Sequence, residues 1–237
     1  MSGPQQPRPN GWIAKIVVAN ALTWGIFAAI LFGVAGTAAW WRGWALVAFF
    51  VGSSLAASFG LLRADPALLA ERFKPPIQRA QPLADKIVLS ALLAVFVAGV
   101  VLAPLDVFRL HLLPMVPPVL AWAGGALVLL GYWITYDAMC QNAFAAPVVK
   151  LQAERGQSVV DAGLYGAIRH PMYAGGTLYF LGMMLWLQST AGVALTVAFL
   201  AVCVARIFEE ERYLRRELPG YDAYAARVRY RLIPYVW

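Results

Sequence analysis

The stretch HPMYAGGTLYFLGMMLWLQSTAGVALTVAFLAVCVA, residues 170–205, carries no charged residue between His170 and Ala205. A bilayer core takes about 20 apolar residues per helix, so this run is too long for one span and fits two. Its only polar, turn-like interruption is Gln188-Ser189-Thr190-Ala191-Gly192, which places a tight hairpin there. Working outward, four further uncharged or nearly uncharged runs precede it: Ile16 to Trp41, Gly43 to Leu62, Ile87 to Leu105, and Leu110 to Tyr136. Together they predict about six transmembrane helices, an all-α integral membrane protein in which polar segments serve only as connectors and ends.

Composition agrees: 61% of the 237 residues are hydrophobic and 13% charged, against roughly a quarter charged in a soluble domain. Six spans put both ends on one side, and the basic residues test that independently, because cytoplasmic loops are enriched in Lys and Arg. Seventeen of the 19 fall in the N-terminus, the second and fourth loops and the tail from Arg206; only Arg42 and Arg109 fall opposite. The N- and C-termini are therefore expected in the cytoplasm, in an inner membrane of bacterial type given 15 Arg to four Lys and abundant Ala and Gly. The net charge of +7 is accounted for by topology and anionic headgroups, and nucleic acid is not an expected partner. Cys140 and Cys203 lie near cytoplasmic span ends, where thiols stay reduced, and two cysteines are too few for a zinc site; no metal is expected.

Three parts are expected: a disordered N-terminus over 1–11, transmembrane helices over 12–143, and a functional core over 144–237. The second loop, Arg63 to Lys86, reads as a connector lying against headgroups. Residues 146–169 form a long loop punctuated by Gly156, Gly163 and Gly166, and long ordered loops tend to be functional.

Two clusters there can carry chemistry. In Arg169-His170-Pro171-Met172-Tyr173, Pro171 suits a first helical turn, which leaves His170 beside unpaired N–H groups that favour an electron-rich partner. Gly175 and Gly176 leave that helix bare, for close packing or for a planar ligand. At the other end of the hairpin, Arg206 and Glu210 are four apart and share a face, while Glu211 and Arg215 read as a solvated pair. After Pro219-Gly220, the spacing of Tyr221, Tyr224 and Val228 predicts a short amphipathic helix against the membrane surface.

In this order, Gly163-Leu164-Tyr165, Arg169-His170-Pro171-x-Tyr173, two spans, Arg206 and Glu210, Pro219-Gly220-Tyr221-x-x-Tyr224 and Pro234, the segment from Phe144 to Trp237 resembles the isoprenylcysteine carboxyl methyltransferase family and its bacterial relatives, among them phospholipid N-methyltransferases. The resemblance implies an S-adenosylmethionine-dependent methyltransferase. It implies cofactor contacts from Gln152, from Gln157 to Val160 (Val159 among them), from Tyr165, from His170, Pro171, Met172 and Tyr173, and from Glu210. It implies a substrate contact from Arg206, with Arg206 and Glu210 as the catalytic pair. The acceptor is then a carboxylate, thiol or amine on a hydrophobic or lipidated molecule taken from the surrounding membrane lipids. Two other readings compete: an NADPH-dependent, sterol-reductase-like membrane enzyme, which needs more basic residues in the hairpin pocket than Arg169 and Arg206, and a non-catalytic membrane protein or transporter, which needs charges in mid-span, where Asp137 is the sole candidate.

Overall fold

The structure is a computed structural model that describes residues 9–75, 77–78, 81–145 and 155–237. All regular structure among those residues is helical: α1 (Pro9–Ala35), α2 (Trp41–Ala64), α3 (Pro66–Arg72), α4 (Leu83–Leu105, ending in a wider π-type turn, Asp106–Leu110), α5 (Pro118–Gln141), α6 (Leu164–Ala167), α7 (Pro171–Trp186), α8 (Thr190–Glu217) and α9 (Tyr221–Arg227). Five helices, α1, α2, α4, α5 and α8, are long and apolar enough to cross a membrane, and each buries only 22–33% of its apolar window. The remaining apolar surface, including Val17, Leu22, Leu93, Val97, Leu129 and Val197, needs a lipid solvent.

The expected span missing from these five is the fifth in chain order, α7. With 16 residues it reaches about 24 Å, short of a hydrocarbon core of about 30 Å. Its limits have local causes. Pro171 opens it, and at the other end Gln188 turns into the left-handed region (φ 65°) before Ser189 caps α8 by accepting from Gly192 N at 2.9 Å. α8, at 28 residues, spans about 42 Å and overshoots the core. The two arms of the hairpin therefore differ by about 18 Å in length, and the step between them, at the start of α7, holds the site.

Other boundaries also shift from expectation. The first helix already includes residues 9–11. It ends at Ala35 because Gly36 takes φ 73°, and the chain restarts at Trp41, so Trp41 belongs to the second span. The fourth span begins at Pro118 rather than at Leu110, because His111 is left-handed (φ 48°) and Pro114 and Pro117 cannot extend a helix. The second loop is more than a surface connector. Asp65 caps α3 by accepting from Leu68 N at 2.9 Å, and Leu68 and Leu69 are buried against Ile16, Leu61 and Met139.

What fixes α7 is its fit against α5. Gly124 and Gly131 on α5 face Gly182 and Gly175 on α7, seven residues apart on each helix, in antiparallel register. A Cβ at Gly131 would lie 2.5 Å from Tyr179 N and 2.6 Å from Gly175 O; at Gly182 it would lie 2.6 Å from Val128 N. Backbone meets backbone, the small-residue mode by which helices associate where lipid removes the hydrophobic drive. On its opposite side α7 presents Phe180, stacked on Phe199 of α8 with centroids 4.4 Å apart, and Met183 and Met184, all buried among residues of α1, α2, α4 and α8. Far from the site, Asp106, just past the third apolar run, is buried. It accepts from Ser189 Oγ (2.8 Å) and Ala191 N (3.1 Å), and so caps α8.

Candidate active site

At the step between α7 and α8 lies a cavity of about 320 Å³, walled by the end of α3, by α4, α6, α7, α8 and α9, and by the loop segments 142–145 and 157–160. Gly163 makes the first bend, with φ 58° and ψ −129° in a region open only to glycine, and with its Cα close against Gln141, whose Oε1 accepts from Leu164 N at 2.8 Å. The bend aims Tyr165 inward, where burial raises its hydroxyl pKa to about 12 and its carbonyl accepts from Tyr224 Oη at 2.8 Å. The Tyr221 and Tyr224 hydroxyls are likewise pushed up by burial. These rings stay neutral at physiological pH and offer π-faces to a cation.

From α7 and α8 come two side-chain systems. In the first, Tyr173 joins the two residues expected to share a face of α8: its hydroxyl donates to Glu210 Oε2 at 2.6 Å and accepts from Arg206 Nε at 2.8 Å. Arg206 Nη1 also lies 3.0 Å from Asp85 Oδ1 on α4, and Asp85 Oδ2 accepts from Gln81 Nε2 at 2.5 Å. Arg206 and Asp85 are 3% and 2% exposed, so the guanidinium is pinned on two sides before any ligand arrives. Glu210 is only partly buried and reaches the cavity.

The second system overturns the reading of Glu211 as a solvated partner of Arg215. Glu211 is 4% exposed. It accepts from Arg169 Nε at 2.7 Å and from Arg231 Nε at 3.1 Å, and its Oε1 lies 3.2 Å from His170 Nε2. Arg215 instead reaches Asp222 of α9. Arg169 also donates through Nη1 to the carbonyls of Ala225, Val228 and Arg229, the open end of α9. The physical cause is the direction of α8: residue 210 faces the cavity and residue 211, a turn of about 100° on, faces the tail that folds back. That tail also turns Tyr221 and Tyr224 into the cavity rather than onto the membrane surface, with Val159 and Leu214 packed beside them.

Of the residues expected to hold a cofactor, Gln157, Val159, Val160, Tyr165, His170, Pro171, Met172, Tyr173 and Glu210 all line this one cavity, and so does Arg206. Gln152 lies outside the described residues. Gly175 serves close packing, with Thr135 Oγ1 2.5 Å from where its Cβ would be, whereas Gly176 has nothing within 4 Å. Sequence reasoning missed Asp85, Arg72 and Asn142. Asp85 had a legible signal, a lone carboxylate at the edge of an apolar run, matching Arg206 at the edge of another; Arg72 sat among loop charges with nothing to single it out.

The model of the phospholipid methyltransferase family matches residues 119–219. The matched segment is similar to that family. It covers α5 to α8 and the loop between them, about two fifths of the chain, and it contains all three members of the Arg206–Tyr173–Glu210 system. The match supports a membrane methyltransferase in general terms. α1 to α4, which supply Asp85 and Arg72, lie outside the match. No curated protein matches the chain.

Proposed function

We propose that the protein transfers a methyl group from S-adenosylmethionine to a carboxylate, thiol or amine of a hydrophobic, lipid-like molecule, at the cytoplasmic boundary of the membrane. One observation carries the reading: residues separated by over fifty positions, from Gln157 to Glu210, converge on one cavity of about 320 Å³, within the usual range for small-molecule sites. The residues suit the cofactor. Glu210 offers a carboxylate to a cationic group, Tyr165, Tyr221 and Tyr224 offer neutral π-faces to a sulfonium, and the 157–160 segment offers backbone groups to polar edges.

When bound, the cofactor supplies a methyl carbon already activated by a positive sulfur. An anionic acceptor would need no base, whereas a thiol or amine acceptor would have to give up its proton, for which Glu210 is the carboxylate lining the cavity. What remains for the protein is alignment and exclusion of water. Arg206, held by Asp85 and Tyr173, presents a fixed guanidinium to the acceptor's electron-rich group, and Tyr173 keeps Glu210 at a set distance from it. The short α7 lets a lipid-borne acceptor meet a water-borne cofactor without leaving the apolar layer.

Calorimetry of the purified protein with S-adenosylmethionine, followed by transfer of labelled methyl into the organic phase of a lipid extract, tests this. A dissociation constant on the order of micromolar and label in the lipid phase are expected. A folded protein that binds no S-adenosylmethionine overturns the reading.

A further inference from the structure

A second cavity, of about 430 Å³, lies between α1, α2, α3 and α5. α2 and α5 do not close on each other there. They are bridged by side chains, with Tyr132 Oη donating to Ser53 O at 2.9 Å and the stacked rings of Tyr132 and Tyr136 between them. Its walls carry hydroxyls from Ser54, Ser58, Tyr132 and Tyr136 among apolar groups, and Thr23, exposed on α1, brings it to the lipid-facing surface. Arg72, the last residue of α3, lines both this chamber and the candidate active site.

Arg72 differs from the other arginines of the site. Arg169 is bound to Glu211 and Arg206 to Asp85. Arg72 faces no carboxylate among the described residues; its Nη1 donates to Ala145 O at 3.0 Å, which leaves most of its five donors for something else. Burial lowers its pKa, offset in part by Tyr165 and by no carboxylate among the described residues, yet a guanidinium stays charged, and a partly buried charge calls for a counter-charge.

We infer that Arg72 binds the oxyanion of a membrane amphiphile whose chains and ester groups occupy the α1–α2–α5 chamber, setting an anionic acceptor at the mouth of the active site. The chamber runs through apolar spans and reaches lipid, so its occupant is an amphiphile, and the charged end of an amphiphile seated there falls at Arg72, the one cation lining the chamber among the described residues. The hydroxyls below suit the carbonyl oxygens that follow a phosphate or carboxylate headgroup. The planar fork of Arg72 matches either oxyanion by two parallel contacts. This assignment of the acceptor rests on the methyltransferase reading above; the binding site itself does not.

The test uses the full-length protein in phosphatidylcholine nanodiscs, a short-chain phosphatidate with one fluorescent acyl chain, the matching fluorescent fatty acid, and the matching diacylglycerol as the uncharged control. Arg72→Gln is expected to weaken phosphatidate or fatty-acid binding about tenfold or more, to leave the diacylglycerol unchanged, and to leave S-adenosylmethionine affinity within about twofold of the parent. Which anionic probe responds tells phosphate from carboxylate. Ser58→Phe, which fills the chamber and leaves Arg72 intact, is expected to weaken every lipid probe and guards against a misfolded Arg72 variant. If Arg72→Gln weakens S-adenosylmethionine instead, the oxyanion is the cofactor's and the inference is wrong; it is equally wrong if no probe responds. Should the parent protein bind no S-adenosylmethionine, the methyltransferase reading fails while the phosphatidate comparison still decides the site.

Discussion

Glu211 Oε1 accepts a hydrogen bond from Arg169 Nε at 2.7 Å, in a site where both side chains are about 5% exposed. This pair ties the last turns of α8 to the residue before His170, and through Arg169 Nη1 to the end of α9, so the cavity wall built by the tail depends on it. Removing one partner of a buried pair leaves an uncompensated charge, at about 3–5 kcal/mol. Glu211→Gln is accordingly expected to lower the thermal midpoint sharply and to expose the chain after Arg227 to proteolysis. Glu217→Gln, on the exposed end of α8, is expected to change neither. Equal stability of the two variants would show that the latch carries no load.

Tyr173 sits between Arg206 and Glu210 and couples them through one hydroxyl. Tyr173→Phe keeps the ring and removes both contacts. Turnover is expected to fall about 10- to 100-fold, with a smaller loss of S-adenosylmethionine affinity, because Glu210 loses one donor and stays in place. Arg206→Lys keeps the charge and loses the fork that spans Tyr173 and Asp85. It is expected to lower turnover while leaving cofactor affinity near normal, and Glu210→Gln is expected to weaken the cofactor first. Parallel titrations and initial rates on the three variants check this; identical profiles would remove the division of roles.

How much of this was legible in the sequence follows from what each feature depends on. Apolar runs and their length read out directly, because lipid leaves few alternatives to helices. The Arg206–Glu210 face was visible because it needs only helical periodicity. The roles of Glu211 and Arg72 were hidden, and that of Asp85 was signalled only by its place at the edge of an apolar run, because each is set by a partner from a distant segment: Arg169 and Arg231 for Glu211, Arg206 for Asp85, and a cavity shared by α1, α2 and α5 for Arg72. Periodicity also gives no depth, so the same helix end read as solvated although the tail folds back and buries it. The shortness of α7 was missed because the stretch from His170 to Trp186 is apolar throughout, and only its packing against α5 shows where it sits.

That packing makes its own prediction. Gly131→Ala puts a Cβ within 2.6 Å of Gly175 O and 2.5 Å of Tyr179 N, both backbone atoms that cannot move aside alone. α5 and α7 must then separate, which shifts Tyr173 and His170 with the helix that carries them. Loss of about 1–3 kcal/mol and reduced recovery of folded protein are expected. Gly176→Ala, with nothing within 4 Å, is expected to be tolerated or slightly stabilising, since alanine favours a helix over glycine by up to about 1 kcal/mol. Melting curves of both variants in one detergent separate them.

The orientation of the chain follows from charge and from the place of α7. If α7 crosses the membrane with the five longer helices, the two ends of the chain fall on one side, and the 17-to-2 division of basic residues puts that side in the cytoplasm. If α7 did not cross, α8 would start on the cytoplasmic side, and the cluster from Arg206 to Arg231 would be carried outside, against the charge rule. The close antiparallel register of α7 with α5, from Gly124 near Leu185 to Thr135 near Gly175, favours the crossing, since two helices matched over that length share the same depth. Single cysteines in a background lacking Cys140 and Cys203 test it with a membrane-impermeant thiol reagent on intact cells. A cysteine at Leu112, in the loop after α4, is expected to react from outside, as is one at Gln188 in the α7–α8 turn. One at Ala226 of α9 is expected to react only after the membrane is opened. Labelling of Ala226→Cys in intact cells, with Leu112→Cys protected, would invert the chain and move the candidate site to the outer face, where a cytoplasmic cofactor cannot reach it.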